Sequence, residues 1–448
     1  MKIKLIQPAM LKRPMDTKLK TRMSPSLALL TIAKLTPKEH EVIIVNENVE
    51  KIDFNEPVDL VAITVTVDVM NRAVAISKEF QNRGVTVIAG GIHITADPEG
   101  TVNNFDAISV GMAERVWTKI LKDKENNSLM KIYYDMENIA GKEIVSPDYD
   151  IIDKNKYLYT NIVSTSRGCP FQCDFCYNSC KNVLKTYINR PVEDVIKDIN
   201  ALETRHIMFI DDNFIGNPKW TKELLKEIKP LKLKWNAAVT SNIVDMPELL
   251  DEMKDAGCQS LFIGFESINS KSLDSVHKVQ NSVNRYEKLV EEVHKRGIMI
   301  NASFVFGLDE DDSSIFKTTL EWIVKNKIET VTSHILTPYP GTKLYKALLA
   351  ENRIVDFNLS RYNTASVVYK PKNMTAEELY NGYLWIYKEM YTFKNIIKRL
   401  PKSKKQWIPF LSFNFFYRKF GKLTEVFCNI VSFKNVGKFY RWLAYRIK

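Results

Sequence analysis

Over the first 135 or so residues, short apolar runs alternate with stretches of helical period. The pattern predicts a strand at Lys2–Ile6 and further β-branched strands at Val42–Val45, Leu60–Val65, Val85–Ala89 and Ala107–Val110. Ser24 is placed to cap a helix with Pro25 at its first position and LALLTIAKL as its body. A second helical period runs between Asp68 and Arg83. Alternation at this spacing predicts a doubly wound parallel sheet of the flavodoxin or Rossmann kind. From about 155 to 350 the alternation resumes as six strand–helix units. Their strands are Asn161–Ser164, His206–Ile210, Leu233–Ala238, Ser260–Ile263, Met299–Phe306 and Thr330–Leu336, with helices such as Val192–Leu202, Glu248–Ala256 and Val283–Arg296 between them. Six parallel units make a partial barrel, whose polar loops gather at the strands' C-terminal ends. A helical extension follows over 351–448. Within it Thr375 caps a helix and Glu378, three residues later, completes a capping box. The expected architecture is α/β, with a doubly wound domain over 1–135, a partial (β/α)6 barrel over 155–350 and the extension.

Composition changes little in this picture. The 448 residues are 45% hydrophobic and 26% charged, as in ordinary globular proteins. MKIKLIQPAM lacks the apolar stretch of a secretory segment, and no run of about 18 apolar residues suggests a spanning helix. Charge is more informative. From Tyr391 to Lys448 there are 14 Lys and Arg against the single acid Glu425. That tail is therefore +13 of a net +11, which leaves −2 for the rest.

Four of the six cysteines, Cys169, Cys173, Cys176 and Cys180, fall within twelve residues. Such clustering opposes a disulfide framework, favours a metal or redox site and fits a reducing cytoplasm. TSRGCPFQCDFCYNSC follows an apolar strand, and three thiolates on one short loop can hold three irons of a cubane, leaving the fourth open for chemistry. A four-cysteine zinc site closed by Cys180 is the structural alternative. It is weakened because all four cysteines share one loop, and because Phe175, before the third, suits stacking on an adenine. In the first domain, strand ends carry Thr64 and Thr66, Gly90, Gly91 and His93, and Gly111 and Glu114. Paired glycines there admit a large flat or phosphorylated ligand, or merely make tight turns. No GxGxxG follows the first strand, which disfavours a dinucleotide.

The CxxxCxxC spacing with an aromatic before the last cysteine resembles the radical S-adenosylmethionine (SAM) superfamily. That resemblance implies a [4Fe-4S] cluster on Cys169, Cys173 and Cys176, with SAM on the open iron, cleaved to a 5′-deoxyadenosyl radical. Cys180 lies outside the signature. IGFES resembles the segment contacting the ribose or amino-acid part of SAM, and SFVFGLDE resembles the segment supporting adenine. The implied SAM contacts are Phe175, Asp212, Glu266, Ser267, Gly307 and Glu310. SPSLALLTIAKLTPKEHEVIIVNEN, GGIHITADPE and DAISVGMAE resemble the cobalamin-binding domain that precedes many of these enzymes, and TPYPGTKLY resembles the barrel end of the cobalamin-dependent subgroup. Cobalamin contacts are then expected at Thr64, Thr66, Gly90, Gly91, His93, Gly111 and Glu114. The DxHxxG motif that supplies a cobalt-ligating histidine is absent, so none is expected on cobalt, and loop packing is an equal reading of His93.

The implied activity is methylation of an unactivated carbon in a small-molecule substrate, with a reductase or flavodoxin-type electron donor; that the substrate is lipid-like is an expectation drawn only from the C-terminal tail. A radical cyclase without net methyl transfer is the alternative enzyme, and a zinc-binding interaction protein the alternative of another class. The tail holds 15 of the chain's 48 aromatics among its basic residues. Over 401–448 that mixture suits peripheral contact with the inner membrane face, or a basic helical cap; nucleic acid is disfavoured for want of an added RNA domain.

Overall fold

The computed structural model describes residues 1–135, 137, 139–183 and 186–446. The tail's last two residues, Ile447 and Lys448, lie outside the described residues.

Strands β1 (Lys2–Gln7), β2 (Glu41–Asn46), β3 (Leu60–Thr64), β4 (Thr86–Gly90), β5 (Ala107–Gly111) and β6 (Ile132–Asp135) form one parallel sheet in the order β2-β1-β3-β4-β5-β6. Side chains alternate across it, as strand geometry requires. Ile3 and Leu5 pack with Leu29, Trp117 and Ile120 on one face. Ile6, Val61 and Ile63 pack with Ile76 and Phe80 on the other. Both faces are covered, which explains the near-continuous β-branched runs. β6 is the strand that the apolar pattern does not reveal: Ile132 and Tyr134 leave only Tyr133 as a large buried side chain.

The first long helix begins at Leu27 after Ser26, not after Ser24. The carbonyls of Arg22 and Met23 accept hydrogen bonds from Leu158 and Tyr159, and the chain bends through Met23 and Ser24 before the helix starts.

The barrel strands are β7 (Ile162–Val163), β10 (His206–Phe209), β11 (Lys234–Val239), β12 (Cys258–Glu266), β13 (Met299–Phe306) and β14 (Thr330–Ile335). They form a second parallel sheet in unbroken sequence order, β7 at one edge and β14 at the other. A small antiparallel ribbon, β8 (Ser166–Arg167) with β9 (Ile188–Asn189), flanks the cysteine loop. The strands bury one continuous apolar core with their helices.

The extension is not helical from its start. Residues 351–375 hold an isolated bridge between Ile354 and Tyr369, and the helix begins at Ala376 behind the Thr375–Glu378 capping box. Beyond it, Arg399 is fully buried. Its guanidinium donates to the carbonyls of Ile328, Glu329 and Met390 and to Asn414 Oδ1, tying the tail to the barrel base. Arg399 and Arg441, which is 8% exposed, thus belong to the interior rather than to the basic surface.

Candidate functional site

Directly after β7 the chain is pinned by one carboxylate. Asp211 accepts hydrogen bonds from the backbone N–H groups of Thr165 and Ser166, both at 2.7 Å, and from their hydroxyls at 3.1 and 2.8 Å. Buried Asp211 thus holds the entrance to the cysteine loop, while its neighbour Asp212 opens onto a cavity. Cys173 is buried, Cys169 and Cys176 half-buried. Cys173 lies near enough to raise the proton affinity of both Cys169 and Cys176. Burial is the larger cause and pushes the Cys176 thiol up to about 12. Metal-free, Cys169 and Cys176 hold their protons, so metal binding there is coupled to proton release. Cys180 is wholly buried, its N–H bonds to the Tyr177 carbonyl, and its sulfur would lie 3.3 Å from a Cβ placed on Gly341.

A segment without motif lies across this loop. Gln280 Nε2 donates to Cys173 Sγ at 3.4 Å, and His277 Nδ1 sits 2.7 Å from Asp174 Oδ2. Lys278 pairs with Glu266, and its Nζ stands 5.6 Å from the centre of the Phe175 ring. Glu266 reaches this pairing through a bulge at the end of β12 and a φ of +63°. Bulges re-aim side chains in this way near functional sites. Asn281 clamps the bulge by donating to the carbonyls of Gly264 and Phe265. Sequence reasoning finds Glu266 and Phe175 but misses Lys278 and Gln280. KVQN has no periodicity or spacing that marks it; its contacts come from the β12 turn folding back over the cysteines.

The remaining strand-end residues differ in placement. Ser267 is buried and its Oγ accepts from the Asn269 N–H. Gly307 has φ +91°, and a Cβ there would meet Tyr369 Oη at 2.4 Å, so packing requires glycine. Glu310 is exposed, and its backbone carbonyl accepts from Asn269. The buried carboxylate of this turn is Asp311, which accepts from Gly307 N, Leu308 N and Ser272 Oγ.

Burial raises the Asp311 pKa to about 6. The folded value lies above the unfolded one, so the folded state holds the proton more tightly. This stabilisation is complete below about pH 4 and is lost as pH rises through the folded value, roughly 3 kcal/mol at most. Asp311→Asn keeps an acceptor for both N–H groups without titrating. Thermal unfolding should show wild-type stability falling between about pH 4 and about pH 7 relative to the variant; parallel profiles would refute the assignment.

The second half of the site is a cavity of about 420 Å³ at the C-terminal ends of β3, β4 and β5. Thr64, Gly90, Gly91, Gly111 and Glu114 line it, together with Ser109 and Trp117. It runs inward between the sheet and the helices Leu27–Leu35 and Ala113–Glu125, along Leu5, Leu29, Ile32 and Ile88. Arg167, Gly168 and Asp212 from the cysteine-loop side wall it too. Glu114 and Arg167 approach to 3.8 Å across this boundary. Ser109 Oγ is buried without a hydrogen-bond partner. Buried polar atoms are normally satisfied, so this orphan suits a ligand bearing polar groups.

Two expected contacts are not on this wall. Thr66 is exposed and bonds Asp68 at 2.7 Å. His93 is completely buried, with no partner for either ring nitrogen, and burial lowers its pKa to about 4. It follows Gly91, whose φ of +108° turns the chain so that Ile92 and Thr95 face the cavity instead. Gly91 and Gly111 are also needed by their own backbone: a Cβ would lie 2.8 Å from Val65 and 1.9 Å from Asp135. Gly90 has no such conflict, and its missing side chain leaves space in the cavity. No histidine lines this cavity among the described residues. The mostly apolar slot with scattered hydroxyls would take only part of a cobalamin, and it offers the metal no protein histidine.

The Radical SAM superfamily matches residues 163–323, and a domain of unknown function (DUF4070) matches 342–442. The chain is 30% identical over 402 residues to bacteriochlorophyllide d C-8(2)-methyltransferase of Chlorobaculum tepidum, covering 85% of this chain and 89% of that one. It is 28% identical to the C-12(1)-methyltransferase of the same organism, covering 89% and 90%. The fold is similar to that of the radical SAM methyltransferase TsrM from Kitasatospora setae, solved with cobalamin and a [4Fe-4S] cluster, with a TM-score of 0.62 at 16% identity over 78% of each chain. With a cysteine loop on a partial barrel facing a cavity in a doubly wound domain, this chain belongs to the radical S-adenosylmethionine enzymes, in the family of the bacteriochlorophyllide d methyltransferases.

Proposed function

We propose that Cys169, Cys173 and Cys176 carry the cluster, that the slot at Thr64, Gly90, Gly111 and Ser109 carries cobalamin, and that the site methylates an unactivated carbon of an apolar small molecule. The observation that carries this reading is the shared wall: Arg167, Gly168 and Asp212 line the same cavity as the first sheet's strand ends. When bound, the cluster supplies the electron that cleaves SAM to a 5′-deoxyadenosyl radical, and cobalamin supplies the methyl group. Phe175 offers a face for adenine. Glu266, Ser267 and Asp212 offer acceptors for the ribose hydroxyls and the ammonium of SAM, with Lys278 holding Glu266 in place. Gly307 keeps its strand end compact for the cofactor, and exposed Glu310 reaches only its rim. Gln280 donates to a cluster thiolate, a contact of the kind that tunes such centres. Both curated relatives described are methyltransferases, which supports methyl transfer, and their bacteriochlorophyllide d substrates support an apolar one. A reduced protein of flavodoxin type would deliver the electrons.

Anaerobic reconstitution with iron, sulfide and cobalamin tests this. With substrate, both 5′-deoxyadenosine and S-adenosylhomocysteine should form, and the product should gain one carbon and two hydrogens. A product lighter by hydrogens, with deoxyadenosine alone, would point to a cyclase. Ser109→Leu fills the slot beside Gly90. It should lose bound cobalamin while keeping cluster iron; retained cobalamin would put the corrin elsewhere.

A further inference from the structure

The tail presents one apolar stripe that nothing among the described residues covers. Helix Gly421–Val431 turns Thr424 and Cys428 inward. Its opposite face carries Leu423, Val426, Phe427 and Ile430, exposed by 70%, 57%, 51% and 78%. Their i, i+3, i+4, i+7 spacing is the apolar seam of an amphipathic helix, here facing outward. Phe420 before it, and Phe439 and Trp442 on the next helix, Phe433–Tyr445, are 42%, 51% and 44% exposed. Single surface leucines are ordinary, but a contiguous patch marks an interface.

Charge decides the occupant. The tail's one acid, Glu425, is turned inward to the Lys18 N–H. Lys422, Lys438 and Arg446 remain exposed near the stripe. Lys402, Lys404 and Lys405 share an open groove at the barrel base with Lys254 and Lys327. A second copy of this face would bring the same positive charge against it. Nucleic acid would leave the stripe in water. We propose that this face docks on a bilayer containing anionic phospholipid, the stripe entering the acyl boundary and the lysines meeting the headgroups. No described helix is long and apolar enough to cross a membrane, so the contact is interfacial. The tail's inner side is also rich in aromatics: Phe410, Phe413 and Phe416 line a cavity of about 360 Å³ at the base of the barrel.

The test uses the full chain in flotation assays with vesicles of phosphatidylcholine alone, or of equal phosphatidylcholine and phosphatidylglycerol. Wild type should bind the anionic vesicles about tenfold more tightly, with salt suppressing the difference. The double variant Leu423→Glu/Ile430→Glu should lose binding. The triple variant Lys402→Glu/Lys404→Glu/Lys405→Glu should bind at least about tenfold more weakly. All five positions are exposed, and unchanged unfolding temperature and cluster iron would show the fold intact. Equal binding to both vesicle types, no binding, or variants binding like wild type would overturn the proposal. So would a wild-type dimer that the double variant converts to monomer, which would assign the face to a second copy. None of these readouts depends on methyl transfer.

Discussion

Cys169→Ala, Cys173→Ala and Cys176→Ala each yield a protein whose iron and sulfide fall to background and which forms no 5′-deoxyadenosine, whereas Cys180→Ser retains both. The expectation rests on geometry as well as spacing. Cys173 raises the proton affinity of both Cys169 and Cys176, so the first three thiols share one neighbourhood. Cys180 is spent on packing: its sulfur abuts Gly341, on the barrel-end turn, and the carbonyl of Ala96 also crowds that glycine. Serine is close in size and leaves that contact standing. A four-thiol zinc site predicts the reverse for Cys180→Ser, with loss of metal, and zinc rather than iron in the wild type. Metal analysis of the four variants beside the wild type decides between the two.

Lys278→Met destabilises the protein by about 3–5 kcal/mol, because it leaves the Glu266 carboxylate buried without its cation. Both side chains are at most 10% exposed, so water replaces little of the loss. Glu266 cannot turn away easily, since the bulge and the Asn281 clamp hold its backbone. A double-mutant cycle provides the check. Glu266→Gln/Lys278→Met should be more stable than Lys278→Met alone, because the second change removes the stranded charge. SAM affinity by equilibrium dialysis should fall in both single variants if Glu266 contacts the cofactor. Additive stabilities, or a Lys278→Met protein as stable as wild type, would mean that the pair does not hold the site.

These two cases separate what is local in the chain from what is not. Spacing makes the cysteine loop legible, since three cysteines within eight residues need no tertiary information to be brought together. The two sheets are legible for a similar reason: strands buried on both faces read as apolar runs, and parallel neighbours require helices between them. β6 is missed because its inward positions include an aspartate and only one large side chain.

Side-chain direction is not written in this way. Asp211 and Asp212 are adjacent acids, yet one anchors the loop entrance and the other faces the cavity, because successive positions at a strand end point to opposite sides. Glu310 and Asp311 divide similarly, the outer carboxylate going to solvent and the inner one to the backbone of the turn. His93 sits in a glycine-rich loop beside the ligand slot, but the turn at Gly91 carries its ring into the interior.

By itself, the sequence determined the α/β class, the order of the two sheets along the chain, the cysteine loop and the basic aromatic tail, all of which depend on neighbours in the chain or on regular period. Only the tertiary structure decided that Lys278 and Gln280 reach the cysteine loop across a hundred residues, that His93 and Thr66 stand off the cavity wall, that Arg399 and Arg441 turn inward, and that Leu423, Val426, Phe427 and Ile430 are left uncovered. The physical reason is the same throughout. Periodicity records which face of an element is apolar, but the packing of elements decides what that face meets.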